Sequence, residues 1–268
     1  MAVDLDSEIW KSKQLPQAYA QRGSYLRTEE LAVLGEMWPD LCGQPILEVG
    51  VGAGRLTPYL FVLGDAYVGI DYSPAMVAVA QQAHPEADFR VGDARDLHMF
   101  GDATFRAVLF SDCGIDCMPY GDRQTVTREA HRMLEPGGYF AFSTHNLHSL
   151  NGEASGRYRP SRPEFSRNPI RYGLRVLRAA AQSVKGYASH RRLRSRQSFG
   201  EGYAIVNNRI ENYALLLCYV DPQVQCDALE AAGFARSPRL FGPNGRRDAV
   251  DSSVPWLHFL ATKPSGGE

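Results

Sequence analysis

The chain has 268 residues, of which 44% are hydrophobic and 22% charged, and a formal net charge of −1. These are ordinary values for a globular protein whose core is large enough to fold without staples. No apolar run approaches the roughly 18 residues of a membrane span, and the acidic start MAVDLDSEIWK is unlike a signal peptide, so a cytoplasmic protein is expected. Cys42, Cys113, Cys117, Cys218 and Cys226 are scattered, with no second pair or histidine cluster at zinc spacing, which predicts neither disulfides nor a metal.

Residues 1–41 read as a helical cap, with Leu31, Leu34 and Trp38 at helical spacing behind Thr28 as N-cap. An alternation of strands and helices then begins. PILEVG (45–50) reads as a strand, followed by a helix over Gly54–Leu63, and AYVGID (66–71) as the second strand. SPAMVAVAQQAHP is a helix capped by Ser73 with Pro74 in its first turn. ADFRVGDA (87–94) and FRAVLFSD (105–112) are strands three and four, and residues 122–134 the next helix. EPGG (135–138) leads into strand five, YFAFSTHN. This rhythm specifies right-handed βαβ units and a parallel sheet covered on both faces.

Residues 147–200 break the pattern. Between Arg157 and Arg196 there are twelve Lys/Arg and one acid, Glu164, an excess of about +11 against a remainder near −12. Within this block a helix is expected from Asn168-Pro169. Arg171, Arg175, Arg178 and Lys185 recur along it beside an apolar stripe of Ile170, Leu174, Leu177, Ala181 and Val184, and HRRLRSRQ follows. Residues 201–220 read as a hairpin turning at Asn207-Asn208. DPQVQCDALEAAGF is a helix closed by Gly233, and RSPRLFGP and PWLHFLATKP are the last strands. The expected organisation is a cap (1–41), a cofactor-binding core (42–146), a basic lid insertion (147–220) and a C-terminal completion of the sheet (221–268).

The glycine-rich turn EVGVGAG follows the first strand, where backbone N–H groups at a helix start receive polar or anionic ligand groups. The absence of Gly-Lys-Ser/Thr excludes a triphosphate loop. The spacing is Gly50, Gly52, Gly54, and Asp71 at the end of strand two suits a ribose diol. Glu48 decides between ligands: a carboxylate there would repel a pyrophosphate but welcome an ammonium or sulfonium. S-adenosylmethionine has the ribose and the positive charge and lacks the pyrophosphate.

With EVGVGAG, GIDYS, GDAR, FSDCGID and RMLEPGGYFAFS in this order, residues 45–146 and the closing strands resemble the class I S-adenosylmethionine-dependent methyltransferases, in particular bacterial small-molecule members. The resemblance implies a Rossmann-like, mostly parallel seven-stranded sheet with a helical cap and a lid after strand five. It also implies S-adenosylmethionine as cofactor and methyl transfer to a small molecule as activity. Glu48, Gly50, Gly52 and Gly54 would take the methionine end, Asp71 and Tyr72 the ribose side, Asp93 and Ala94 the adenine. Ser111 would line the cavity, and Tyr19 and Tyr25 would close over it. Asp112-Cys113 before Gly114-Ile115-Asp116 departs from the Asn-Gly-Ile-Asp of similar enzymes.

Methyl transfer from a sulfonium needs alignment and, for some acceptors, proton removal, but no metal. His145 is the first candidate for a general base, with Asp112 and Asp116 beside it. For the basic block four readings stand: a solvated face on a docked lid, a site for an anionic acceptor, an RNA-binding surface without a recognised RNA module, or a helix lying on an anionic membrane. A non-methylating enzyme such as a cyclase, an RNA methyltransferase and a non-catalytic S-adenosylmethionine binder are the rival functions; no oligomeric state is implied.

Overall fold

The computed structural model describes residues 14–150, 158–207 and 210–266. The start MAVDLDSEIWK, Arg157 and Asn208 lie outside these. In chain order the elements are α1 (Gln14–Ala20), α2 (Thr28–Leu41), β1 (Pro45–Val49), α3 (Thr57–Leu63), β2 (Ala66–Asp71), α4 (Pro74–Ala83), β3 (Asp88–Val91) and β4 (Phe105–Phe110). They continue as α5 (Tyr120–Met133), β5 (Leu134–Asn146), α6 (Pro169–Leu193), β6 (Ser198–Gly200), β7 (Tyr203–Asn207), β8 (Leu216–Val220), α7 (Pro222–Ala231), β9 (Arg239–Phe241) and β10 (Trp256–Thr262).

Local chemistry explains most boundaries. The Ser73 hydroxyl accepts the Met76 amide and Pro74 opens α4; Asn168 caps α6 through the amides of Ile170 and Arg171; Asp221 does the same for α7. Gly233, at φ 101°, ends α7 where a side chain would be strained. At α2 the expectation is corrected. Arg27 is the N-cap, its amide donating to Glu30 Oε2 at 2.9 Å, so Thr28 is already helical. The buried face is Val33, Leu34, Met37 and Leu41, while Leu31 and Trp38 are more than half exposed. Periodicity alone fits either stripe, and contact with the sheet selects this one.

Strands β3-β2-β1-β4-β5 are parallel, with β1 between β2 and β4; β10 runs antiparallel to β5 and carries β9 on its far side. These seven are the strands expected for the core sheet, but among the described residues the sheet has ten, because β6 and the expected 201–220 hairpin (β7 and β8) join it. β5 is 13 residues long, and β4 pairs with it only to Phe142. Beyond that point β8 joins in parallel at His145 and Asn146, and β7 and β6 follow antiparallel. The β7–β8 connection is wider than a two-residue turn. Pairing stops at Asn207↔Leu216, and the Asn207 amide bridges the loop by donating to the Tyr213 and Leu215 carbonyls.

One sheet face buries Leu47, Val49, Ile70 and Phe140 against Val126 and Met133 of α5 and Leu229 of α7. The other buries Ile46, Ala107 and Ala141 against Leu34, Met37 and Leu41 of α2 and Leu60 of α3. Consecutive residues of each strand serve opposite cores, which is why the strands read as unbroken apolar runs. The carboxyl ends of β1, β2 and β4 are left open for a site.

Candidate active site

A cavity of about 630 Å³ opens at those strand ends, a size typical of small-molecule sites. Its floor is the turn after β1. Gly50 and Gly52 have φ of 68° and 56°, the left-handed region that L side chains avoid. A Cβ on Gly50 would come within 2.7 Å of Phe110 Cε2, and one on Gly114 would strike the same ring. Phe110 is itself buried at the end of β4. Both Asp71 carboxylate oxygens are engaged, Oδ2 by the Gly52 amide at 2.9 Å and Oδ1 by the Ser73 amide at 2.8 Å. Burial raises its pKa against these two bonds.

Tyr72, Asp93, Ala94 and Ser111 line the same cavity, as do Tyr19 near the end of α1 and Tyr25 from the segment that joins α1 to α2. Tyr19 stands over Gly52, where a Cβ would meet its ring at 3.9 Å. Tyr25 is fixed by Arg55, whose guanidinium lies 4.9 Å from the ring centre and donates to the Tyr25 carbonyl at 3.0 Å. Arg55 also grips Glu30 at 2.5 and 2.7 Å, tying the turn, the Tyr25 segment and α2 together. Gly54 lies behind the wall. Its carbonyl meets His84 Nε2 at 3.0 Å, and the imidazole leaves no room for a Cβ there.

Two acids differ from their simplest reading. Glu48 lines the cavity, yet its Oε2 accepts Tyr67 Oη at 2.5 Å and Thr57 Oγ1 at 3.3 Å. Burial pushes this carboxyl up to about 7, more than these bonds and Arg55 restrain it. It is therefore a shielded charge near neutrality, and its electrostatic discrimination between ligands is weaker than a bare carboxylate's. Asp93 is clasped by Arg95 through Nε and Nη2; burial works to raise its pKa, and the guanidinium overrides it and holds the carboxyl low. Arg95 reaches on to Asp122 at 2.9 Å.

Of the three acid–base candidates, Asp112 alone lines the cavity. It sits at φ 55° and is paired with Arg27 at 2.5 Å across the mouth. Asp116 is completely buried. Its oxygens accept the Arg123 guanidinium, Thr144 Oγ1 at 2.6 Å, the His145 amide at 2.7 Å and His145 Nδ1 at 2.6 Å. His145 lies outside the lining residues, packed on Tyr219. Burial alone would lower its pKa, but Cys113 and Asp116 lift it to about 10, so it carries its proton near neutrality. An imidazole of ordinary basicity, the premise for a general base, is not what this environment produces.

Cys113, Asp116 and His145 bring ligand-type atoms within 4.8 Å of one another, a grouping that the sequence spacing conceals. The Arg123 guanidinium already neutralises Asp116 there, which suits a hydrogen-bonded cluster better than a cation. Arg123 also donates to Thr144 at 2.9 Å and Gln225 at 2.8 Å, joining α5, β5 and α7. Its place in a helix of mixed polarity gave no sign of burial. Arg55 and Met118 are further lining residues without a motif to mark them, and Arg95, the last residue of GDAR, lines the cavity too.

The family model described as "Methyltransferase domain" matches residues 46–138. Over 108 residues the chain is 41% identical to a probable phthiotriol/phenolphthiotriol dimycocerosates methyltransferase 2 of Mycobacterium ulcerans, covering 39% of this chain and 40% of that one. It is 32% identical over 149 residues to a ubiquinone biosynthesis O-methyltransferase of Pseudomonas syringae, covering 52% and 63%. The chain thus spans about half the length of these curated relatives. The fold is shared with an S-adenosylmethionine-dependent methyltransferase of Mesorhizobium loti, at a TM-score of 0.57 and 19% identity over 88% of this chain and 98% of that one. The domain match, the strand order and the glycine turn agree: residues 46–138 are similar to a methyltransferase domain, and the chain has the fold of S-adenosylmethionine-dependent methyltransferases.

Proposed function

We propose that this chain transfers the methyl group of S-adenosylmethionine to a small-molecule acceptor that enters beside Asp112. The observation that carries this reading is the division of one cavity into two chemistries. Its lining joins the Gly50–Gly52 turn, Asp71 and Asp93-Ala94, which suit the cofactor, to Asp112, Gly114, Cys117 and Met118, which remain for an acceptor. The residues fit the cofactor: two left-handed glycines keep the floor free of side chains, and Asp71 ends β2 with its carboxylate already oriented by two amides. When bound, the cofactor supplies a methyl group activated by its sulfonium.

The protein's part is alignment and exclusion of water. Asp71 would accept from the ribose diol beside Tyr72, and Asp93 with the Ala94 backbone would face the adenine. The glycine turn, with Glu48 behind it, would hold the methionine end. Ser111 would face the junction, with Tyr19 and Tyr25 above. Asp116 and Arg123 act as positioning residues for the loop after β4. Asp112 is the carboxylate available to take a proton from an acceptor that must lose one. Cys117 and Met118 suit an acceptor with an apolar body, in keeping with the phthiotriol dimycocerosates and the ubiquinone biosynthesis named for two relatives.

Incorporation of radiolabelled methyl from S-adenosylmethionine into organic-phase and aqueous metabolite extracts tests the activity. Label in small molecules supports it, label in RNA moves the reading to an RNA methyltransferase, and titratable binding without any transfer sinks it. Tight NAD binding in place of S-adenosylhomocysteine would remove the cofactor assignment.

A further inference from the structure

Helix α6 runs 25 residues without a single acid, and most of its surface is exposed. It is anchored by its small residues. Ala179, Gly186, His190 and Leu193 are buried, and the Asn212 side chain approaches Gly186 so closely that a Cβ would lie 2.6 Å from its Oδ1. The Ser183 carbonyl accepts Tyr158 Oη at 2.5 Å, the Gln182 carbonyl accepts Asn212 Nδ2 at 3.1 Å, and His190 Nδ1 meets Asn207 Oδ1 at 2.8 Å. Rolling the helix would break all of these contacts, so its outward face is set by the fold.

That outward face is apolar. Ile170, Leu174, Leu177, Ala181, Val184 and Ala188 follow one another at alternating steps of four and three, about half a turn away from the buried residues. Ile170 is 75% exposed, Leu177 68% and Val184 72%. Single exposed apolar side chains are ordinary, but a straight row of them is not. Arg171, Arg178, Lys185 and Arg192 repeat every seven residues along one border of the row. Arg175, which the spacing groups with these cations, instead turns inward and donates to the Glu164 and Phe165 carbonyls.

We infer that α6 is an interfacial helix whose outward face docks on an anionic lipid bilayer, the apolar row entering the acyl boundary and the cations meeting headgroup phosphates. No described helix is long and apolar enough to cross a membrane, so the contact is a peripheral one. Charge complementarity selects this occupant. A second copy would bring another row of cations with no acid on either helix to pair them. An RNA backbone would satisfy the cations and leave the apolar row in water. The inference goes beyond methyl transfer and does not depend on it.

Flotation of the full chain with vesicles of phosphatidylcholine, alone or with about 30% phosphatidylglycerol, tests the assignment. The anionic vesicles should carry at least about ten times more protein than the neutral ones. Leu174→Glu/Leu177→Glu should lower that partition about tenfold or more, with far-ultraviolet circular dichroism, Tm and S-adenosylhomocysteine affinity unchanged. Leu177→Trp should keep binding and report a blue-shifted emission on vesicles. Equal absence of binding from both vesicles would overturn the inference. So would a dimer that the double Glu variant converts to monomer without any vesicle binding. RNA binding indifferent to the Glu substitutions, again without vesicle binding, would overturn it as well.

Discussion

The walls of the cavity and the basic helix α6 both depend on arginine, and they use it in opposite ways. Around the cavity four guanidiniums have acidic partners: Arg55 with Glu30, Arg95 with Asp93 and Asp122, Arg123 with Asp116, Arg27 with Asp112. These pairs tie loops from distant parts of the chain into one frame. Along α6 the cations border an exposed apolar row, and the helix itself offers no acid. A paired cation fixes the protein's own shape, whereas an unopposed row of them is shaped for something outside it. Net charge, close to zero for the whole chain, hides this division.

Substitutions should separate the two regions sharply. The largest effect is expected from Asp116→Ala, which leaves Arg123 charged and buried. It should cost about 3–5 kcal/mol of stability, read as a fall in Tm, while the paired change Asp116→Leu/Arg123→Met should recover much of it. If Asp116→Ala were as stable as wild type, the cluster would not be the structural link described. Next, Asp71→Ala removes the acceptor of the Gly52 and Ser73 amides together with the ribose-side carboxylate. Calorimetric titration should show S-adenosylhomocysteine affinity reduced about 100-fold, roughly 3 kcal/mol; an unchanged affinity would remove the ribose assignment.

Stability against pH gives a third test. Burial lowers His258 to about 4, and neither ring nitrogen has a hydrogen-bond partner among the described residues. Between 6.5 and 4 the unfolded chain binds this proton and the folded chain does not, so stability is lost as pH falls through that window, by up to about 3 kcal/mol. Glu48 has the opposite sign. Its folded pKa of about 7 lies above the unfolded 4.5, so its contribution is present at low pH and lost as pH rises from 4.5 to 7. The two oppose each other in wild type, and single variants should expose them. Relative to wild type, His258→Phe should gain stability as pH falls from 6.5, and Glu48→Gln as pH rises from 4.5, both followed by chemical denaturation. Parallel curves for variant and wild type would refute either assignment. The smallest effects belong to arginines at the surface, Arg27 half-buried and Arg178 exposed. Arg27→Ala should change stability by less than about 1 kcal/mol, and Arg178→Ala by less than about 0.5 kcal/mol with cofactor affinity untouched. A large effect of Arg178→Ala on cofactor binding would end the separation between the regions.

Much of the cofactor half was legible because its determinants are local. The glycines at left-handed φ, the capping oxygen of Ser73 and the acid that ends β2 all act within a few residues. What was hidden depends on contacts far along the chain. Arg123 meets Gln225 across 102 residues, and Cys113 reaches His145 only once β5 is laid beside β4. That the 201–220 hairpin, with β6, joins the core sheet follows from the length of β5, which a break at the EPGG turn obscures. In α6 the spacing showed the apolar row but not its direction. That was settled by Ala179 and Gly186, residues too small to register as a packing face.

The ring of Phe110 lies against both Gly50 and Gly114, so one aromatic side chain determines what two separate loops can become. The consequence is epistasis at the heart of the site. Gly114→Ala alone should be damaging and should be rescued by Phe110→Leu, which vacates the ring's far edge. Gly50, held at φ 68°, has no such route. In the descent of this chain, strand four and its loop are then free to diversify only as a coupled set, while the first glycine of the turn is fixed regardless of its neighbours.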